Sequence, residues 1–156
     1  MDAADHPFST DDAILIAARA HAGQRDKGRP DLPYITHPMR VMAYFTEPVL
    51  QQIAVLHDSV EDSKGVVTLD SLRRHGAPER VVAGVDAMTH RKGESDEDYW
   101  LRLRENPDAL RVKDEADIED NLDPARLALL PPERAERAVA KYTRARRVLR
   151  HGRAAL

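Results

Sequence analysis

The chain has 156 residues with 24 Lys and Arg against 27 Asp and Glu, so we expect one domain over residues 1–156, without the basic footprint of a nucleic-acid binder. It contains no cysteine, which excludes disulfides, thiolate zinc sites and cysteine nucleophiles together. No apolar run approaches the roughly 20 residues that span a bilayer, and the acidic start MDAADHPFSTDD has no apolar signal core, so a cytoplasmic protein without membrane contact is expected.

Ser9 or Thr10 caps a first helix, with Asp11 and Asp12 in its first turn, where the positive end of the dipole favours carboxylates. Ile14, Leu15, Ala17, Ala18 and His21 recur along it at helical spacing. Residues 23–33 form a polar loop rich in Gly and Pro. A short second helix is expected after Pro38, with Met39, Val41, Met42 and Phe45 as its apolar side. Pro48 suits the first turn of a third helix running through Leu50, Ile53, Ala54 and Leu56 to about Val60. Thr68 caps a fourth helix that Gly76 ends, and Pro78 opens a fifth carrying Val81, Val82, Val85 and Met88. A charged loop, 90–97, precedes a helix with Tyr99, Trp100, Leu101 and Leu103. Pro107 starts another that reaches Asn121 and Leu122, and after Pro124, Pro131 and Pro132 a basic helix runs from about residue 133 to 151. Two-residue alternation is nearly absent, so the fold class is all-α.

The sharpest chemical cluster is His57-Asp58-Ser59-Val60-Glu61-Asp62 at the end of the third helix. Neighbouring helical residues point about 100° apart, so His57 and Asp58 can both reach one ion beside the helix. Glu61 follows His57 by four residues and Asp62 follows Asp58 by four, so one face offers an imidazole and up to three carboxylates. Like charges at that spacing repel, and carboxylates at a helix C-terminus oppose the dipole, which a bound cation would relieve; the plain alternative is a solvated acidic helix end. His37, held ahead of Pro38, reads either as a further ligand or as an ordinary turn histidine. His21 faces the apolar stripe and reads as a satisfied core histidine or a support behind a site. Asp117 and Asn121, four apart, share a helical face that alone would be a charge run on a solvated helix. His6, His75, His90 and His151 read as surface residues. Two imidazoles and two carboxylates would make a mixed nitrogen and oxygen ligand set, suited to Mn²⁺, Fe²⁺, Co²⁺ or Zn²⁺ rather than Ca²⁺. Glu61 and Asp62, one turn beyond Asp58, would then be placed to take a proton from a water or to orient it.

The order His37, His57-Asp58, Asp117 resembles the metal signature of HD-domain phosphohydrolases. More narrowly, AHAGQ at 20–24, PYITHP at 33–38, VLHDSVED at 55–62 and the Ala116-Asp117 to Asn121-Leu122 segment resemble the Rel/Spo-type (p)ppGpp hydrolases, small single-domain members above all. The likeness covers roughly residues 13–127. It implies an all-α HD fold of about seven to eight helices holding one divalent ion, most often Mn²⁺, on His37, His57, Asp58 and Asp117. It further implies Glu61 and Asp62 as the catalytic acidic pair, and Lys27 and Asn121 as contacts to a small nucleotide substrate. The reaction implied is release of pyrophosphate from the 3′ position of ppGpp or pppGpp.

The likeness is not uniform. Asp26 stands where the family loop has an arginine, and the loop is longer before Pro33-Tyr34. Asp114 stands where the family has a basic residue, Lys113 lying one position further ahead, and Ile118 where an arginine is frequent. A more acidic wall around a polyphosphate pocket is therefore expected, weakening an alarmone's binding. Two other readings follow: an HD phosphohydrolase for another nucleotide, such as a dNTP or nucleoside monophosphate, and a regulatory module without catalysis. Arg134, Arg137, Lys141, Arg144, Arg146, Arg147 and Arg150 read as a solvated face, with phosphate steering or a partner contact as the alternative. Oligomeric state is left open.

Overall fold

The structure, a computed structural model, describes residues 7–156, so His6 lies outside it. Among the described residues the regular structure is helical, with one isolated antiparallel bridge between Arg25 and Pro33 that pinches the loop 23–33. Helix α1 spans Thr10–Ala20 and starts from a capping box in which Ser9 and Asp12 satisfy each other's backbone N–H groups. Its buried face is Ala13, Ile16, Ala17 and Ala20, whereas Leu15, expected in the stripe, is 57% exposed. Helix α2, Thr36–Met42, begins before Pro38 rather than after it. A proline is tolerated there because first-turn N–H groups have no intrahelical acceptor, and the consequence is that His37 sits on the helix.

The expected third helix is two helices, α3 (Pro48–Leu56) and α4 (Ser59–Asp62), broken at His57-Asp58. Glu61 and Asp62 instead close the single turn of α4. Helix α5 (Leu69–Arg74) is capped by Thr68 and stopped near Gly76, whose φ of +84° suits glycine. Helix α6 (Glu79–Met88) follows Pro78, and α7 (Asp96–Leu103) is capped by Ser95, two residues inside the expected loop. The helix expected from Pro107 onward is α8 (Pro107–Arg111), a π-helical segment (Val112–Asp117) and α9 (Ile118–Asn121) in succession. A short α10 (Pro124–Leu127), the long α11 (Pro132–His151) and a 3₁₀ turn (Gly152–Ala155) complete the fold.

The core is organised around α3, whose Leu50, Ile53, Ala54, Val55 and Leu56 are all buried, an unusually apolar stretch for one helix. It packs against α1, α2 and α6. Each fully buried Leu or Ile there contributes about 1.5–3 kcal/mol. Close approach of α6 depends on Gly84, because a Cβ at that position would lie 2.4 Å from Ile53 Cδ1. A central helix gripped on several sides makes a rigid pedestal, and its last residue hands over directly to His57. Among the described residues no helix is long and apolar enough to cross a membrane.

Candidate metal centre and cleft

Four elements aim polar groups at one point. Helix α2 carries His37, the end of α3 carries His57, the break after it carries Asp58, and the π segment ends on Asp117. One donor atom from each of His37, His57 and Asp117 lies within 4.8 Å of the other two, and all three residues are buried. His37 Nε2 is 3.1 Å and His57 Nε2 is 3.5 Å from Asp117 Oδ1. Asp58 Oδ2 lies 3.0 Å from His57 Nε2 and 3.8 Å from His37 Nε2. The structure thus brings the four expected ligands together.

The surroundings fix which ring nitrogens face inward. His37 Nδ1 is 2.6 Å from Asp120 Oδ2, and His57 Nδ1 is 2.6 Å from the carbonyl oxygen of Ala54. Both oxygens only accept, so each Nδ1 carries the hydrogen and, in the neutral ring, each Nε2 presents a lone pair to the centre. His57 Nε2 is buried with no hydrogen-bond partner. Two lone pairs and two carboxylates facing one another are mutually repulsive unless something positive lies between them, so the donor set fits a divalent cation. Burial works against charge on His57, yet Asp58 and Asp117 raise it well above its ordinary range. Burial likewise opposes charge on Asp117, yet Lys113 and the two histidines hold its carboxyl well below the usual range.

Outer contacts orient the carboxylates. The Tyr34 hydroxyl donates to Asp58 Oδ2 at 2.6 Å, and its ring lies 5.0 Å from His21 and 5.8 Å from His37. Asn121 Nδ2 donates to Asp117 at both the carbonyl oxygen and Oδ1, each at 2.9 Å. Lys113 Nζ takes the other carboxylate oxygen, Oδ2, at 2.5 Å. His21 is buried, with Nδ1 2.9 Å from Gln24 Oε1, while Gln24 Nε2 donates to the carbonyl of Asp62; it stands behind the site as expected.

Above the centre opens a cavity of about 340 Å³. His37, Asp58 and Asp117 line it together with Glu61, Asp62, Asn121 and Lys27, and α11 contributes Arg134, Lys141 and Tyr142 from the far side. Glu61 accepts the backbone N–H of His90 at 2.9 Å. Burial and the nearby Asp58 charge push the Asp62 carboxyl above its ordinary range. His90 also lines this cavity against Tyr99, so it is not the plain surface residue its sequence context suggests; His75 and His151 are exposed.

Asp26 and Asp114 add no carboxylate to the cavity lining, contrary to expectation, and each departure has a local cause. Asp26 is buried and turned away from the cavity, accepting Gly28 N at 2.9 Å and Arg29 N at 3.1 Å. Asp114 pairs with Arg146 and Arg150 of α11 at 3.2 and 2.9 Å. Ile118 is fully buried in the core. Lys113, four positions ahead of Asp117 in the same π segment, lies on it and faces the cavity. Of the last helix's basic residues, Arg134 and Lys141 line the cavity, Lys141 also lying 3.5 Å from Asp96, and Arg144 and Arg146 pair with Glu97 and Glu119. Sequence reasoning missed Tyr34, Asp120 and the role of α11. Tyr34 lies inside PYITHP, and Asp120 follows Asp117 by three residues on the same helical face, a signal that was available.

The geometry is an all-α fold in which His37, His57, Asp58 and Asp117 converge at a point fit for a divalent cation, under a cleft lined by both cationic and acidic side chains, and comparison with known proteins adds to it. No family model matches the chain. It is 41% identical over 70 residues to human guanosine-3′,5′-bis(diphosphate) 3′-pyrophosphohydrolase MESH1, a match covering 41% of this chain and 38% of that protein. The Xenopus tropicalis protein of the same name is 33% identical over 79 residues, covering 44% of this chain and 43% of that protein. These matches therefore span less than half the length of the relatives. The fold is that of a solved structure reported as a metazoan ortholog of SpoT that hydrolyzes ppGpp, with a TM-score of 0.69 and 23% identity over 96% of this chain and 89% of the other. The resemblance read in the motifs is met by the sequence relatives of that name, and the solved structure shares the fold.

Proposed function

We propose that the chain is a metal-dependent phosphohydrolase that releases pyrophosphate from the 3′ position of ppGpp or pppGpp. The observation that carries this reading is the convergence of His37, His57, Asp58 and Asp117 beneath a cleft lined by Lys27, Lys113, Arg134 and Lys141. Mn²⁺ is the best candidate for an ion held by those four side chains, and when bound it supplies charge stabilisation at a phosphoryl oxygen and acidifies a water. Asp120 and Ala54 keep both imidazoles aimed inward, and Tyr34 and Asn121 hold the carboxylates. Glu61 and Asp62 are the groups that take the proton from the attacking water. The water oxygen bonds to the phosphorus on O3′, the bond from that phosphorus to O3′ breaks, and a proton goes to O3′, leaving GDP and pyrophosphate from ppGpp. Lys27 and the α11 cations Arg134 and Lys141 bind the phosphate chains, and Asn121 meets the nucleoside side.

Purified protein supplied with Mn²⁺ is expected to convert ppGpp to GDP and pyrophosphate, and H57A and D58A each to abolish it. Turnover that survives both substitutions overturns the site. Turnover confined to a dNTP or nucleoside monophosphate overturns the substrate, and full ligand occupancy with no turnover of any nucleotide returns the chain to a binding module.

A further inference from the structure

Below the metal centre lies a buried charge network distinct from the ligands. Asp120, which fixes His37 through Nδ1, also accepts Arg40 Nε at Oδ1 (2.6 Å) and Arg40 Nη2 at Oδ2 (3.1 Å). Arg126 donates through Nη1 to Asp120 Oδ2, and its Nη2 lies 3.3 and 3.4 Å from the two oxygens of Asp26. Arg40 Nη2 makes a longer reach of 3.5 Å to Asp26. Asp26 is 2% exposed and ties down the turn of the loop through Gly28 N and Arg29 N. Between those residues and Asp26 stands Lys27, which faces the cleft. Two buried carboxylates would repel each other without the guanidiniums, and a planar fork can satisfy one at each end as an ammonium cannot. Arg126 lines the cleft, yet both of its ends are committed to carboxylates, so it serves as a brace rather than a phosphate clamp.

We propose that the Asp26–Arg126–Asp120 bridge makes the loop carrying Lys27 and the ligand His37 one mechanical unit, with Asp26 a positioning residue for the metal centre although it touches neither His37 nor the cleft. The proposal rests on the metal-centre reading above. It accounts for an acidic residue at position 26: the carboxylate is the loop's anchor to the ligand helix. Removing it frees Arg126 to swing and takes one support from Asp120, and outer support of this kind is typically worth 10- to 100-fold in metal affinity.

The test is Mn²⁺ binding by titration calorimetry without nucleotide, on the intact chain, for wild type, D26N, D120N and the double variant, alongside amide exchange at Gly28 and Arg29. D26N keeps the side-chain shape and an acceptor for the loop amides. It is expected to weaken Mn²⁺ binding about 10-fold, at the lower end for an indirect support, and to speed exchange at both amides. D120N is expected to do more, and the double variant no worse than D120N alone, since both act on one chain of contacts. D26E, which restores the charge, should recover part of the affinity. With ppGpp, D26N should raise KM through the loop as well as lowering kcat through the centre. Unchanged Mn²⁺ affinity in D26N, or additive losses in the double variant, overturns the bridge while leaving the metal centre standing. Wild type that binds no Mn²⁺ overturns both.

Discussion

Gly84 gives the most quantitative test of how the pedestal beneath the site is packed. In G84A the new Cβ would stand 2.4 Å from Ile53 Cδ1, 2.8 Å from Cγ1 and 3.3 Å from Cγ2. Ile53 is fully buried and β-branched, so it has little freedom to step aside. Two contacts this short place the clash in the upper part of the range for overpacking, about 2–3 kcal/mol. Alanine in a helix interior recovers about 1 kcal/mol over glycine. The net is a loss of about 1–2 kcal/mol, which for a chain of this size lowers Tm by about 3–6 °C. Urea unfolding followed by circular dichroism should show the midpoint falling with an unchanged slope. I53V removes Cδ1, the nearest atom, at a cost of about 1 kcal/mol alone. In the G84A background it should cost little or nothing, because it relieves the clash it would otherwise leave untouched. A G84A protein as stable as wild type, or an I53V penalty equal in both backgrounds, refutes close contact between α3 and α6.

Two further outcomes follow from charged groups away from the metal ligands. Glu94 accepts Arg102 at 2.7 and 2.8 Å, and these bonds, against the opposing effect of burial, hold its carboxyl down at about 2. Because the folded value lies below the unfolded one of about 4.5, its contribution is complete above pH 4.5 and is lost as pH falls toward 2. After allowance for solvent at this loop the contribution is about 1–2 kcal/mol, so acid unfolding of E94Q should lack that part of the wild-type slope between those pH values. Arg134 and Lys141 line the cleft from exposed positions on α11, so R134Q and K141Q should each raise KM for ppGpp about 2- to 5-fold, with kcat nearly unchanged and a shallower dependence of KM on salt. A fall in kcat instead would place these residues at the reacting atoms.

Local chemistry wrote much of this protein into its sequence. Helical spacing without alternation dictated the all-α class, and caps such as Ser9, Thr68 and Pro78 marked helix starts because they satisfy or dispense with first-turn N–H groups. The His, His-Asp, Asp set was legible because only a few residue types can ligate a metal, and their order along the chain is independent of folding. Tertiary structure decided what depends on direction. Periodicity could not show that the helix breaks at His57-Asp58, since the apolar spacing runs on across the break to Val60, which packs against the core on the far side. Nor could residue counting show that the stretch holding Lys113 and Asp117 is π-helical. Asp26 and Asp114 looked like charges in the pocket because a sequence gives sign but not orientation. Packing turned one beneath the loop onto Arg126 and the other onto α11, so neither adds its charge to the cleft lining.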